Sequence, residues 1–413
     1  MSKRSPLLTL FFTIFLDMLG LGILIPVIPV LLAQPLSVHY LLPQGVSVET
    51  GYRLLGLLLA TYSFGQFIAA PIIGQFSDKF GRKRILILAI LGTAIGHALF
   101  AAAILLRNIP LLFVARLFAG ISGGNIVVAQ AAIADITTPE NRAKNFGLIG
   151  AAFGLGFIVG PFIGGKLADP TILPWFDATV PFWFAAVLSL VNALLVFTFF
   201  RETNVHAKRD NVVEWGRAIK NIAHALSLKK VRPLFIANFI YQTGFTFYVT
   251  FASVFLLTRF GFTEGMLGNY FAYIGVWIVF TQVVVTRYAA KKFSETTILQ
   301  NSLIVTGICI IGIVMAPKVE ILYYIIPFFA AAIGLTNANI TALISRSAGP
   351  SIQGEVLGLN GSLNALAMTM PPLISGVIVA YTEPSVPLLI AATVTITAGL
   401  YFINHMRKVR QNV

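Results

Sequence analysis

Long apolar runs broken by short polar gaps organise this chain. Twelve of them approach or exceed the roughly 20 residues that a helix needs to cross a bilayer. They are 7–33, 52–76, 84–106, 109–134, 145–168, 180–200, 233–257, 265–288, 297–316, 320–345, 354–380 and 386–406. Inside a bilayer every backbone amide must be paired within its own segment, so such runs are helices. The alternating short segments of a β-barrel do not occur. The longest polar stretch, Arg201 to Arg232, parts the spans six from six. The expectation is an all-α polytopic membrane protein with twelve transmembrane helices. They form two pseudo-symmetric six-helix bundles, 1–200 and 233–413, joined by a linker over 201–232. Within the linker Val212, Trp215, Ile219, Ile222 and Leu226 recur at helical spacing among Arg217, Lys220, Lys229 and Lys230. That pattern predicts an amphipathic helix lying on the inner lipid leaflet.

Composition removes the alternatives. Of 413 residues 57% are apolar and 11% charged, and mean hydropathy is +0.86. A soluble domain carries about a quarter charged residues and needs them on its outside. A lone cysteine, Cys309, leaves no disulfide scaffold. Net charge is +14, but the basic residues sit between apolar runs, so they report orientation and not a nucleic-acid partner. With the N-terminus in the cytoplasm, 23 of the 29 basic residues fall inside, among them Lys79 to Arg84, the linker cations, Lys291, Lys292 and the C-terminal tail. Both termini are therefore expected in the cytoplasm. Lys3 and Arg4 before an apolar run imitate a signal peptide, but the run reaches Ala33, beyond an apolar core of roughly 7–15 residues. It reads as a retained first helix.

The two halves share a frame. Pro139, Gly147 and Gly150 return as Pro350, Gly358 and Gly361 at identical spacing. Asp78, followed by Arg82 and Lys83, corresponds to Arg287, followed by Lys291 and Lys292, and Asp135 corresponds to Arg346. Internal repeats of this kind mark transporters whose halves rock around a site at the midplane.

Two charged residues lie well inside spans. Asp17 is about ten residues into the first, roughly 15 Å deep at 1.5 Å per residue, and Arg116 enters the fourth from the other side, roughly 10 Å deep. Intramembrane charges mark pathways by default, so Asp17 is the candidate proton carrier and Arg116 its counter-charge; a fixed structural ion pair is the alternative. On the face of Arg116 follow Gly120, Gly123, Val127 and Gln130, a lining with little bulk, and the same count turns Asn125 away. The second half offers amides and phenols instead: Asn238, Tyr241, Gln242, Phe245, Tyr248, Asn337, Asn339, Asn360 and Asn364. They serve either as interhelical glue or as the wall of a substrate cavity.

Three stretches are more specific. Gly74, Asp78, Gly81, Arg82, Lys83 and Arg84 form a short turn. Arg116 opens a run that ends at Asp135, and Gly156, Gly160, Pro161, Gly164 and Gly165 put glycines every fourth residue on one helix face. Together they resemble the major facilitator superfamily, in particular its twelve-helix drug:proton antiporter branch. Helix one, with Leu16, Asp17, Gly20, Gly22, Pro26 and Pro29, looks like the tetracycline exporters. The resemblance implies that Asp78, Arg82 and Asp135, supported by Arg142, form a gating charge cluster that docks near Gly354. It further implies that the glycine–proline face is the antiporter motif. Where tetracycline exporters carry an acid in helix three, this chain has Gly96 and His97, and His97 is the candidate replacement.

The expected function is proton-coupled export of an amphiphilic small molecule by alternating access, with import of a metabolite or siderophore as the alternative. The expected partners are substrate, protons and the lipid of a bacterial inner membrane, with the chain as a monomer. No enzyme activity, cofactor or metal is expected, because the five histidines are scattered without ligand spacing.

Overall fold

The computed structural model describes residues 6–138, 142–204, 213–347 and 353–411, and no strand occurs among them. In the first half the helices are α1 (Pro6–Ile23), α2 (Ile28–Ala33), α3 (Val48–Phe80), α4 (Arg82–Leu105), α5 (Ile109–Ser122), α6 (Asn125–Asp135), α7 (Arg142–Leu167) and α8 (Val180–Phe199). A short α9 (Arg217–Ser227) precedes α10 (Arg232–Phe260), α11 (Glu264–Phe280), α12 (Thr286–Lys292) and α13 (Glu295–Met315). The chain ends in α14 (Val319–Ser347), α15 (Gln353–Ala367), α16 (Met370–Tyr381) and α17 (Ser385–Gln411). Eleven helical segments are long and apolar enough to cross a membrane, and Gly154–Leu167 is a shorter apolar helix among the described residues.

Four predicted spans are each built from two helices, and the interruptions have local causes. Pro26 lacks an amide and disfavours helix at Ile25, which separates α1 from α2. Pro371 and Pro372 follow the break between α15 and α16. Gly123 and Gly124, the least helix-favouring pair available short of proline, separate α5 from α6. A five-residue π-helical turn, Thr281–Val285, joins α11 to α12. Helix ends are equally local. The Asn108 side chain accepts from the Leu111 amide at 3.0 Å, Ser294 does the same for Thr297 at 3.2 Å, and Gly261 ends α10 at φ 65°, a conformation that glycine tolerates.

The chain folds as two compact units. The first comprises Met1–Gln44, Thr61–Ile219 and Thr263–Ala272; the second comprises Gly45–Ala60, Lys220–Phe262 and Tyr273–Val413. The opening turns of α3 thus belong with the second unit, and those of α11 with the first. Within the first, Leu10, Ile14, Met18, Ile90, Val128 and Val196 form a core shared by α1, α4, α6 and α8. Within the second, Phe235, Tyr241, Leu303, Ile344 and Phe402 do so for α10, α13, α14 and α17.

Within the linker the helix α9 covers Arg217–Ser227, and the apolar residues of the expected pattern divide. Ile222 and Ala225 pack into the second unit's core, while Trp215, Ile219 and Leu226 are exposed. Val212 lies outside the described residues, as do Pro139, Pro350, Lys3 and Arg4, the side chain of Arg142 and the surroundings of Gly147, Gly150 and Gly354.

Candidate functional site

Asp17 is half-buried on α1 and is held by amides from two other helices. Asn125 Nδ2 donates to Oδ2 at 2.5 Å. Asn192 Nδ2 donates to Oδ1 at 3.4 Å and to the Thr13 carbonyl at 3.3 Å. The carboxylate therefore takes part of its solvation from the protein, as an intramembrane charge requires.

Asn125 was expected to point away, and the structure corrects this. The expectation ran one helical phase from Arg116 through the whole span, whereas the break at Gly123 and Gly124 resets the phase before α6 begins. Gln130, ranked above Asn125, sits five residues further on, about 140° round the helix from it. Asn192 is the one amide of the sixth span, and nothing in its spacing marks it as a partner of Asp17.

Arg116 does not pair with Asp17: no ion pair joins them among the described residues. It is buried, its guanidinium lies 4.7 Å from the centre of the Tyr62 ring, and its Nε has no hydrogen-bond partner. Cation–π attraction of this kind gains strength once desolvated. The small residues read as a bare lining make room for Tyr62 instead. A Cβ at Gly123 would come 2.7 Å from the Tyr62 hydroxyl, and one at Gly120 would overlap the Tyr62 carbonyl oxygen. Gln66 Nε2 then donates to the Gly123 carbonyl at 3.0 Å. The result is a polar chamber inside the first unit, lined by Asp17, Tyr62, Thr93, His97, Asn125 and Ser189 among others.

The glycine face of α7 is spent on α1, directly past Asp17. A Cβ at Gly160 would stand 2.7 Å from the Leu19 carbonyl oxygen, and one at Gly22 would stand 2.9 Å from Pro161 Cδ. Gly156 meets Met18 and Gly164 meets the Ile23 backbone in the same manner. Gly165 instead faces Gly268, on the opening turns of α11. Backbones that approach this closely gain dispersion contacts, the main source of helix association in lipid.

At the turn between α3 and α4, Arg82 is nearly buried. Its NH1 pairs with Asp78 at 2.6 Å and its Nε with Asp135 at 3.0 Å, and NH1 also donates to Ser77 Oγ at 2.6 Å. Gly81 takes φ 95° to start α4; Gly74 lies against Val127. A residue not singled out in the sequence completes the cluster. Glu202 accepts from the Arg82 and Lys83 amides at 2.8 and 3.0 Å, placing an anion on the otherwise open N-terminus of α4, where the helix dipole favours it. Thr203 Oγ1 donates to Asp135 and Asn204 Nδ2 to the Asp78 carbonyl. The Asp78 side chain is 50% exposed and that of Asp135 26%, so the two should differ on replacement. Asp135→Ala is expected to cost about 1.5–3 kcal/mol, as a charged hydrogen bond does, and Asp78→Ala about 0–1 kcal/mol, as surface pairs do. Thermal unfolding midpoints of the purified protein would show the order.

In the second unit the structure gathers part of the predicted polar wall. Asn238 Nδ2 donates to Asn360 Oδ1 at 2.8 Å and to Asn364 Oδ1 at 2.7 Å, which uses both amide hydrogens as interhelical glue. Tyr241 is fully buried in the unit's core and its hydroxyl has no partner, so in this structure it packs as a core residue. Phe245 stacks between Tyr241 and Tyr248 at 6.0 and 6.3 Å. Gln242 is partly exposed, and Asn337 exposed. Asn339 turns back to the Leu335 carbonyl of its own helix.

The fold and its buried charges define a multispanning membrane protein. The family model of the Major Facilitator Superfamily matches residues 10–371, and the chain belongs to that superfamily. The class H tetracycline resistance protein of Pasteurella multocida is 31% identical over 390 residues, 92% of this chain and 90% of that protein. Multidrug resistance protein 2 of Bacillus subtilis (strain 168) is 27% identical over 387 residues, 91% and 89% of the two chains. Among solved structures, the human organic anion transporter MFSD10 (TETRAN) superposes with a TM-score of 0.73 at 21% identity, covering 97% of this chain and 100% of that one. A D-xylose–proton symporter gives 0.74 at 17%, covering 96% of each. These two likenesses concern the fold alone.

Proposed function

We propose that the chain exports an amphiphilic small molecule or drug across a bacterial inner membrane, driven by protons, with both termini in the cytoplasm. The observation that carries the reading is Asp17: an ionisable group at membrane depth, lining a polar chamber, and held by amides from α6 and α8. In the cycle that follows, outward access lets Asp17 take a proton and the substrate leave. Inward access lets it release the proton to the cytoplasm and the next substrate enter. Protonation removes acceptor capacity from one carboxylate oxygen, so the bonds to Asn125 and Asn192 change with each turn of the cycle. The α1–α7 glycine contact gives that change a stiff neighbour. The Asp78–Arg82–Asp135–Glu202 cluster would latch one end of the first unit, and Trp215, Ile219 and Leu226 would seat α9 on the inner leaflet. Relatives named for tetracycline and multidrug resistance favour export over the importer alternative.

The test uses inside-out membrane vesicles from cells producing the chain, with an acid interior imposed. Tetracycline or ethidium should accumulate inside, and nigericin should abolish the accumulation. Vesicles matching those of an empty-vector strain for both probes, together with unchanged drug susceptibility of the cells, would overturn the reading.

A further inference from the structure

His97 is a buried titratable group of the Asp17 chamber that the scheme above leaves unused. It sits on α4, 4% exposed, against α1: a Cβ at Gly20, three residues past Asp17, would lie 3.5 Å from its Cε1. The ring hydrogen-bonds to the Ala185 backbone on α8, while Nδ1 is buried without a partner. The first bond fixes the ring and leaves Nδ1 as the free acceptor, since the hydrogen bond of one imidazole nitrogen sets the state of the other. Both His97 and Asp17 line the chamber, which has room for about one water centre, roughly 10 Å³. Such a water has two to four polar partners to hand there, which is what a buried water requires.

We propose that Asp17 and His97 form one proton-handling pair, linked by a single water between the carboxyl and Nδ1; this rests on the proton-coupled reading above. When Asp17 gives up its proton, the water takes it and passes one of its own to Nδ1. A carboxylate and an imidazolium result, and the net charge of the chamber is unchanged. The groups facing His97 fit a shared single proton. Asp17 comes from α1, Tyr62 from α3 and Arg116 from α5, while among the described residues α6 and α8 contribute no charged group there but Asn125, Ser189, the Ala185 carbonyl and, on the far side of Asp17, Asn192. With the Arg116 cation nearby, an imidazolium is supported only while Asp17 is charged, so the two groups titrate as a pair and not separately.

The test is an infrared pH titration of the purified full-length protein in detergent, with the Asp17 carboxyl band identified by its loss in Asp17→Asn. His97→Gln keeps an amide that can hold the Ala185 carbonyl but removes the titrating nitrogen. It is expected to displace the Asp17 midpoint by about one pH unit or more. In a protein labelled with ¹⁵N-histidine and carrying His39→Gln, His206→Gln, His224→Gln and His405→Gln, so that His97 is the one labelled ring, the imidazole bands should change together with the carboxyl band, which supports the pair even if His97→Gln fails to fold. A midpoint unmoved by His97→Gln, or ring bands that stay still while Asp17 titrates, would overturn it. Probe accumulation in vesicles is measured alongside. If Asp17→Asn accumulates probe like the unsubstituted protein, the parent reading fails; if it is inactive while the midpoint stays put in His97→Gln, only the pair fails.

Discussion

Asp17→Asn should leave a protein that folds and reaches the membrane but no longer exports against a gradient. Asparagine keeps the shape of the side chain and can still accept from Asn125, so the packing of α1 against α7 is undisturbed. What it lacks is the charge that a proton cancels. One charge moved across 100 mV supplies about 2.3 kcal/mol, equivalent to a concentration ratio of roughly fiftyfold. That ratio should fall to about one in inside-out vesicles energised by an imposed gradient. Exchange of labelled for unlabelled probe, which needs no net driving force, should survive. Driven accumulation at the unsubstituted level would remove Asp17 from coupling.

Gly160→Leu should have a large structural effect at a position away from the charges. The added Cβ alone would press 2.7 Å onto the Leu19 carbonyl oxygen and 2.8 Å onto the Gly22 Cα. Both contacts are backbone and have no rotamer to yield, and the remaining leucine atoms have nowhere to go. Overpacking of a close-fitting interior costs about 1–3 kcal/mol, and the rigid partner sets this case at the upper end. A lowered unfolding midpoint and reduced yield of monodisperse protein are expected. Gly361→Ala is the control, because a Cβ there meets nothing within 4 Å. Equal stability of the two variants would mean that α1 and α7 can separate without cost.

Span positions were legible in the sequence because lipid imposes a length and a polarity that few other constraints override. The predicted run 84–106 and the observed Arg82–Leu105 differ by no more than two residues at either end. The fate of single side chains was less so. Asn125 was misplaced because a helical wheel assumes one continuous helix, and the Gly123–Gly124 pair interrupts it. Arg116 and Asp17 stand out as charges in apolar runs, but nothing in their spacing tells that Tyr62 stands over the guanidinium. Tyr241 shares a helix face with Phe245, and face alone does not distinguish a packed core from a cavity wall. Glu202 is hidden for a further reason: its partners are backbone amides, which leave no mark in side-chain patterns.

Glu202 also bears on how the protein can be taken apart and rebuilt. Every partner of that carboxylate in the described residues lies upstream of Thr203 or within Thr203 and Asn204 themselves, so the first bundle carries its own clasp. A reporter domain or protease site placed between the halves belongs downstream of Asn204. Placed at Phe200 instead, the foreign segment would draw the carboxylate off the start of α4 and unfasten the turn it holds.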